Sequence, residues 1–320
     1  MASNIRRHKI LAFALFGIII SVPTAAQNGN AASDHAEPDA TSVSPEVTTE
    51  IVVQGARLRF STMKTELSGI LEPHEGQLPR FHQPICPSVM GLSQSTATVM
   101  EKLIRSLAVK AGLDDAEQNC RPNLTVVIAD DGRGFIKELK KERPALFTGM
   151  SAQNFDKLLE HNGPSWVWQA IEPKRADGGP VDYVSEIDLG GGPPQRLKKG
   201  AYQVKNASLS RLYLPVRHDV NGAFVVIAQE AAVGLTIQQI SDFSTVVALA
   251  GVQTRGMANL TAPTILNALT CASGQDNCED GATVFDVALL RIRNQGSANL
   301  SSDKELSNIT NGVLKILSQK

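Results

Sequence analysis

Four cysteines are the feature that most constrains how this chain of 320 residues can fold. An even number of cysteines in an exported protein indicates disulfide bonds. Of the three pairings that four cysteines allow, we favour Cys86–Cys120 and Cys271–Cys278, because each pair flanks one local unit. A zinc site is the alternative, but structural zinc sites use closely spaced pairs such as C-x2-C, and the nearest spacing here is seven.

The first 26 residues have the three parts of a secretory signal. Basic Arg6, Arg7 and Lys9 precede an apolar run from Ile10 to Ile20, and small residues lead to a cleavage site after Ala26. The run of 11 residues is too short to cross a bilayer core of roughly 30 Å. We therefore expect a periplasmic or secreted protein with no membrane span after signal cleavage. An uncleaved anchor is the alternative.

Composition divides the rest of the chain. Residues 27–50 are polar, with almost no large apolar residue, and are predicted to form a disordered linker. Residues 51–77 are predicted to contain a strand, Ile51 to Phe60, and an irregular segment, because prolines recur from position 73 onward. Residues 78–320 are predicted to form a single α+β domain.

The apolar patterns of this domain predict both helices and strands. Leu124 to Ala129 is a continuous apolar run typical of a buried strand, and Ser93 can cap a helix that ends near Ala111. Asn221-Gly222 predicts a tight hairpin turn between strands Leu209–Arg217 and Ala223–Gln229. The last third shows repeated helix-start signals. This order favours a mixed β-sheet with helices packed on one side and a helical C-terminal third.

Charge and motifs exclude several classes of function. Lys plus Arg total 31 and Asp plus Glu total 32, so the formal net charge of −1 argues against a general nucleic-acid binder. The sequence lacks the phosphate-binding loop G-x-x-x-x-G-K-[ST], the dinucleotide motif G-x-G-x-x-G, the nucleophile elbow G-x-S-x-G and the zinc motif H-E-x-x-H. We therefore predict no cofactor and no metal site.

Five residues are candidates for acid–base chemistry: Asp130, Asp131, His161, His218 and Asp219. His218 and Asp219 are adjacent on a predicted strand, where successive side chains point to opposite faces. A surface turn is therefore the simpler interpretation of that pair.

Aromatic and histidine residues supply two further hypotheses. Trp166 and Trp168 alternate on a strand and share a face, so they could form a platform for a sugar or peptide, although core packing is the simpler account. His74, Glu75 and His82 lie in the proline-rich stretch and could approach one another, but nothing in the sequence requires it.

The segment Glu50 to Arg57, EIVVQGAR, is similar to the start of TonB-dependent outer-membrane receptors, although the chain lacks the strands of such a barrel. Stretches between about 85 and 290, such as Ile85-Cys-Pro87 and Leu212-Tyr-Leu-Pro-Val-Arg217, resemble an uncharacterised family of secreted and periplasmic proteins of sphingomonad-type alphaproteobacteria. That resemblance implies export and brings no activity with it.

The order of elements is also similar to that of zinc-peptidase (zincin) domains, in which a helix after an edge hairpin carries the metal ligands. The corresponding helix here, Thr236 to Ala250, contains no histidine, so this resemblance implies a scaffold without the metal chemistry.

These observations favour a non-enzymatic exported protein that binds an unknown envelope protein or ligand. A hydrolase is the alternative, because catalytic triads are assembled from residues distant in sequence and are recognised by their geometry.

Overall fold

The computed structural model describes residues 60–187, 195–204, 210, 212–253, 260–271 and 278–319. The predicted signal peptide, the linker and the predicted strand up to position 59 lie outside these residues. Among the residues described, no helix has the length and the apolar character that a membrane crossing requires.

A four-stranded mixed sheet forms the centre of the fold, with strand order β1-β2-β6-β3. Strands β1, β2 and β6 are parallel, and β3 pairs antiparallel with β6 as an edge strand. The predicted α+β class with a mixed sheet is confirmed. The bounds are β1 Pro87–Met90, β2 Leu124–Ala129, β3 Ser165–Arg175 and β6 Val216–Ala228.

A large helical layer covers one face of this sheet, and its core includes Leu124, Val126, Val225 and Ile227 from the strands. Helix α6 lies at its centre, and nearly every residue from Gln239 to Ala250 is buried. The layer consists of α1 Phe60–Ile70, α2 Gln94–Lys110, α6 Ile237–Ala250, α7 Val284–Gln295 and α8 Ser302–Leu317, with a short 3-10 helix at Ile265–Asn267.

The starts of these helices follow their capping residues. The Ser93 hydroxyl accepts a hydrogen bond from the Thr96 N–H at the start of α2. Thr236 and Gln239 form a reciprocal capping box at the start of α6. Thr283 and Asp286 form the same arrangement at the start of α7. The predicted helix starts at Ser93 and Thr236 are thereby confirmed.

A smaller layer covers the opposite face of the sheet. It comprises α3 Gly132–Glu142, a 3-10 turn Pro144–Phe147 and α4 Ala152–Glu160. Trp168 is stacked between the rings of Phe147 and Phe224, with centroids 4.9 Å away on each side. The predicted packing of helices on one side of the sheet therefore describes the larger layer, and the structure adds this second one.

Strands β3 and β6 form one long antiparallel pair, and the connection between them carries a small two-stranded sheet, β4 Asp182–Ile187 and β5 Gln195–Gln203. The short helix α5, Gln229–Ala232, follows β6. The predicted turn at Asn221-Gly222 is wrong, because both residues lie inside β6. Ala170 pairs with Gly222 and Ile171 with Val220, so Asn221 is the extra residue of a β-bulge.

The N-terminal segment differs from its prediction. Residues 60–70, which we expected to end a strand and begin an irregular stretch, form helix α1. Met63, Leu67 and Ile70 of this helix are fully buried in the same core as the sheet. The spacing i, i+4, i+7 of these residues indicates a helix. The prolines from position 73 onward had instead favoured an irregular segment.

Both predicted disulfides are present. Cys86 is bonded to Cys120 and Cys271 to Cys278, with Cα–Cα distances of 5.9 and 5.8 Å. The first bond ties the residue before β1 to the loop before β2. These bonds exclude a zinc site on the four cysteines and fit an exported fold.

A buried ion cluster joins the segment before β1 to the C-terminal helices. The guanidinium of Arg80 donates to Glu305 Oε1 at 2.7 Å and to the Gly296 carbonyl at 2.7 Å. Arg293 donates to the Pro79 carbonyl. All three charged side chains are at most 3% exposed. Burial lowers the pKa of Arg293 to about 10, so Arg293 remains charged at neutral pH.

Candidate functional site

A tight turn at His74–Gln77 positions the side chains of His74 and Glu75, which belong to a polar cluster. His74 and Gln77 exchange backbone hydrogen bonds of 2.7 and 3.0 Å, and the two central residues, Glu75 and Gly76, have φ of 47° and 81°. Positive φ at both central positions is the mark of a type I′ turn. Glu75 is the one non-glycine residue with positive φ in the described part of the chain. The turn therefore holds the backbone of Glu75 in a strained conformation.

His218 of β6 completes the cluster. Its ring is 5% exposed and meets the His74 ring edge-on, with centroids 4.9 Å apart. Its Nδ1 lies 3.0 Å from Gln77 Oε1, and its Nε2 lies 3.2 Å from Glu75 Oε2. The turn residues are about 140 positions away in sequence, so only the fold brings them to His218.

The electrostatics favour neutral imidazole rings. Burial lowers the pKa of His218, and the Glu75 carboxylate opposes this without reversing it. Burial and the neighbouring His218 also lower the pKa of His74. Both rings are therefore neutral at pH 7, which leaves each with one nitrogen that carries no proton.

Asp219 belongs to a separate cluster on the other side of the strand. Its carboxylate accepts one hydrogen bond from Arg217 at 2.9 Å, forms an ion pair with Arg217 Nε at 2.9 Å and lies 3.4 Å from His82 Nε2. His218 and Asp219 thus contact different partners, as expected for neighbours on a strand. The pair does not form one acid–base unit.

A cleft of about 140 Å³ adjoins His74 at the edge of the sheet. It is lined by residues 72–74 and 251–253, by Gly149 and Met150, by side chains of α4, and by Val167, Trp168, Gln169 and Ile171 of β3. Its polar lining residues include Glu72, Asn154, Lys157 and His161. Among the described residues that line it, none is a serine, threonine or cysteine.

The edge of β3 that faces away from β6 lies along this cleft. The Ala228 N–H donates to the Pro164 carbonyl at 2.8 Å, which identifies position 164 as a hydrogen-bonded position of the β3–β6 pair. Because such positions alternate in an antiparallel pair, the N–H and C=O groups of Val167 and Gln169 point away from β6. The Ile171 N–H also points outward and donates to the Thr148 carbonyl. Within the described chain, the peptide groups of Val167 and Gln169 have no hydrogen-bond partner.

The remaining acid–base candidates from the sequence are not brought together. Asp131 is exposed and caps α3, accepting a hydrogen bond from the Gly134 N–H at 2.8 Å. Asp130 is exposed beside it. His161 follows α4 and lies at the rim of the cleft. The structure therefore assembles no triad from the five predicted residues.

The two tryptophans share a face of β3, as their alternation predicts, and both are core residues. Trp166 and Trp168 are 6% and 4% exposed. The Trp168 indole N–H donates to the Leu146 carbonyl at 3.1 Å. Their rings are buried against the smaller helical layer and do not form an exposed platform, because α3 and the 3-10 turn cover that face.

Helix α6 is the helix predicted from Thr236 to Ala250, in which the sequence contains no histidine. Its first turns carry the exposed Gln238 and the buried Asp242, and the Gln238 amide donates to Asp242 Oδ2 at 2.8 Å. The Ala282 N–H donates to the same oxygen at 2.7 Å. These polar groups are therefore occupied by each other and by backbone.

Sequence reasoning named His74 and Glu75 only as residues that could approach His82, and it missed Gln77 altogether. The pairing with His218 had no sequence signal, because it depends on the turn packing against the start of β6. A comparison with protein-family models, curated proteins and solved structures finds no match to this chain.

Proposed function

We propose that this chain is an exported, non-enzymatic binding protein that holds an extended peptide segment of an envelope partner along the free edge of β3. The observation that carries the proposal is the pair of outward-facing peptide groups at Val167 and Gln169, which line a cleft and have no hydrogen-bond partner among the described residues. The two disulfides and the N-terminal signal features support export.

The spacing of these peptide groups indicates which class of ligand can bind. Val167 and Gln169 are about 6.7 Å apart along the strand, the repeat of every second residue in a β-strand. An added antiparallel strand would match that spacing and exchange roughly four main-chain hydrogen bonds with the two residues. Lys157 and Glu72, which also line the cleft, then contact side chains of the peptide and contribute specificity.

The lining of the cleft favours binding over covalent hydrolysis. The described lining residues offer no hydroxyl or thiol nucleophile, and of the five acid–base candidates only His161 lines the cleft. A hydrolase that forms an acyl-enzyme needs a nucleophile within hydrogen-bond reach of a base. This geometry is the reason for preferring the binding protein to the hydrolase alternative.

A proline at position 167 tests the proposal. Val167→Pro removes one outward N–H and blocks strand addition, whereas proline is tolerated on an edge strand when its nitrogen faces away from the sheet. Peptides selected from a phage-displayed random library on the mature chain are expected to bind Val167→Pro at least ~10-fold more weakly, measured by fluorescence anisotropy.

The matched control is Val167→Thr, which changes the side chain and keeps the N–H. It is expected to bind within about threefold of the wild type. N-methylation at alternate peptide positions is expected to abolish binding, with the intervening positions unaffected, because only alternate residues face β3. Equal binding by the proline and threonine variants would exclude strand addition, and cleavage of the bound peptide would exclude the non-enzymatic role.

A further inference from the structure

The second feature that calls for a ligand is the cluster of His74, Glu75 and His218, and it is independent of whether the cleft binds a peptide. One potential ligand atom from each residue lies within 4.8 Å of the other two. The His218 ring is buried, the His74 ring is half-buried and the Glu75 carboxylate is exposed. The cluster therefore opens to solvent on the side of Glu75.

The orientation of Gln77 settles which nitrogen of His218 carries the proton. The Gln77 amide nitrogen donates to the Val216 carbonyl at 2.6 Å, so the amide oxygen is the atom that faces His218 Nδ1. A carbonyl oxygen only accepts, so Nδ1 must carry the hydrogen. In the neutral ring, Nε2 is then an unprotonated acceptor.

The same orientation directs Nε2 of His218 toward the carboxylate. Nε2 of His218 and Oε2 of Glu75 are 3.2 Å apart. Both atoms can bind a cation that lies between them. A metal-bound histidine commonly donates its other N–H to a protein oxygen. Here the side-chain oxygen of Gln77 accepts that hydrogen bond from His218.

From this geometry we infer that His74, Glu75 and His218 bind a zinc ion, with Gln77 as the residue that orients His218. Two imidazole nitrogens and one carboxylate oxygen form a ligand set that suits zinc with one coordination position left open. This site lies on the turn and the start of β6, away from helix α6. It thus differs from the metal position that the zinc-peptidase resemblance would imply.

The distances need only a small adjustment. Zinc–nitrogen bonds of about 2.0–2.1 Å in a tetrahedral site place neighbouring ligand atoms about 3.3 Å apart. The contact between His218 and Glu75 already has that spacing. The half-buried His74 ring and the exposed Glu75 chain can rotate to close the remaining distance. His74 also lines the cleft, so the proposed zinc site lies beside it.

The test is a zinc titration of the mature, disulfide-bonded chain after treatment with a chelator, followed by competition with a chromophoric chelator. The wild type is expected to bind one zinc ion per chain. His74→Ala and Glu75→Ala are expected to weaken binding at least ~100-fold, since loss of an outer-shell partner alone costs 10- to 100-fold. Both residues are at least partly exposed, so these variants are expected to remain folded by circular dichroism.

His82→Ala is the matched control, because His82 lies in the same segment and pairs with Asp219 outside the cluster. It is expected to bind zinc as the wild type does. Long-range ¹H–¹⁵N spectra of the zinc-free chain are expected to show His218 protonated on Nδ1 only, with a shift of Nε2 when zinc is added.

Three results would overturn the inference. They are the absence of stoichiometric zinc binding, an equal loss in His82→Ala, and a His218 ring protonated on both nitrogens that does not respond to zinc. The last result would identify the contact with Glu75 as an imidazolium–carboxylate pair. None of these outcomes bears on strand addition, so the two proposals fail separately.

Discussion

Replacing Glu305 by alanine is expected to lower the free energy of unfolding by about 3–5 kcal/mol. Glu305 is 2% exposed and accepts a hydrogen bond from Arg80, with Arg293 buried beside it. Its removal leaves the Arg80 and Arg293 guanidinium groups buried without a counter-charge. Breaking a buried pair in this way costs far more than the intact pair contributes.

The same helix offers the control. Asp303 of α8 pairs with Lys64 at 2.8 Å, but its side chain is 84% exposed. Asp303→Ala is expected to change the free energy of unfolding by less than about 1 kcal/mol, because exposed ion pairs contribute little. Urea unfolding of the oxidised proteins measures both values. Similar losses in the two variants would show that the Arg80–Glu305–Arg293 cluster does not carry the stability assigned to it.

Replacing both Cys86 and Cys120 by alanine is expected to lower the free energy of unfolding by about 3–4 kcal/mol on the chain-entropy model. The two residues are separated by 34 positions, so their bond excludes many conformations of the unfolded chain. Non-reducing mass mapping should first find Cys86 linked to Cys120 in the wild type.

The second disulfide provides the comparison. Cys271 and Cys278 are only seven positions apart, and the same model predicts a loss of about 2–3 kcal/mol when both are replaced by alanine. The order of the two effects is the prediction. A larger loss from the shorter loop would mean that the native state, and not the unfolded chain, determines the contribution of each bond.

Local rules predicted those features whose cause is local. The capping hydroxyls of Ser93 and Thr236 lie within three residues of the N–H groups that they accept from, so the helix starts were visible in the sequence. The disulfides followed from the number and spacing of the cysteines. The apolar run at Leu124–Ala129 is a buried strand, as its pattern indicates.

Long-range pairing overrode the local rule at Asn221-Gly222. These residues suit a hairpin turn, but β6 pairs with β3 on both sides of them, from Val216 to Ile227. The extra residue is accommodated as a bulge, and the Asn221 amide donates to Glu172 at 2.5 Å. A dipeptide preference is small compared with the pairing of a strand of 13 residues.

The candidate sites could not be predicted for a similar reason. The environment of His218 depends on a turn that starts 144 residues earlier. Just after that turn, the backbone of Arg80 forms hydrogen bonds with the backbone of His218 and Val220 in β6. The β3 edge is open because no other described strand pairs with it. No sequence pattern predicts such an absence. For Trp166 and Trp168, the sequence predicted that the two side chains share a face of the strand. It did not predict that helices cover that face.

The two edges of the central sheet differ, and this has a consequence for self-association. Strand β1 is only four residues long, begins with a proline and has its Val89 N–H bonded to the Glu101 carboxylate. These are features that prevent a further strand from pairing. Strand β3 has an open stretch instead, as far as the described residues show. Within that part of the chain the central sheet therefore offers one edge for pairing, and two molecules that pair through it are expected to form a symmetric dimer that cannot grow into a fibre through this sheet.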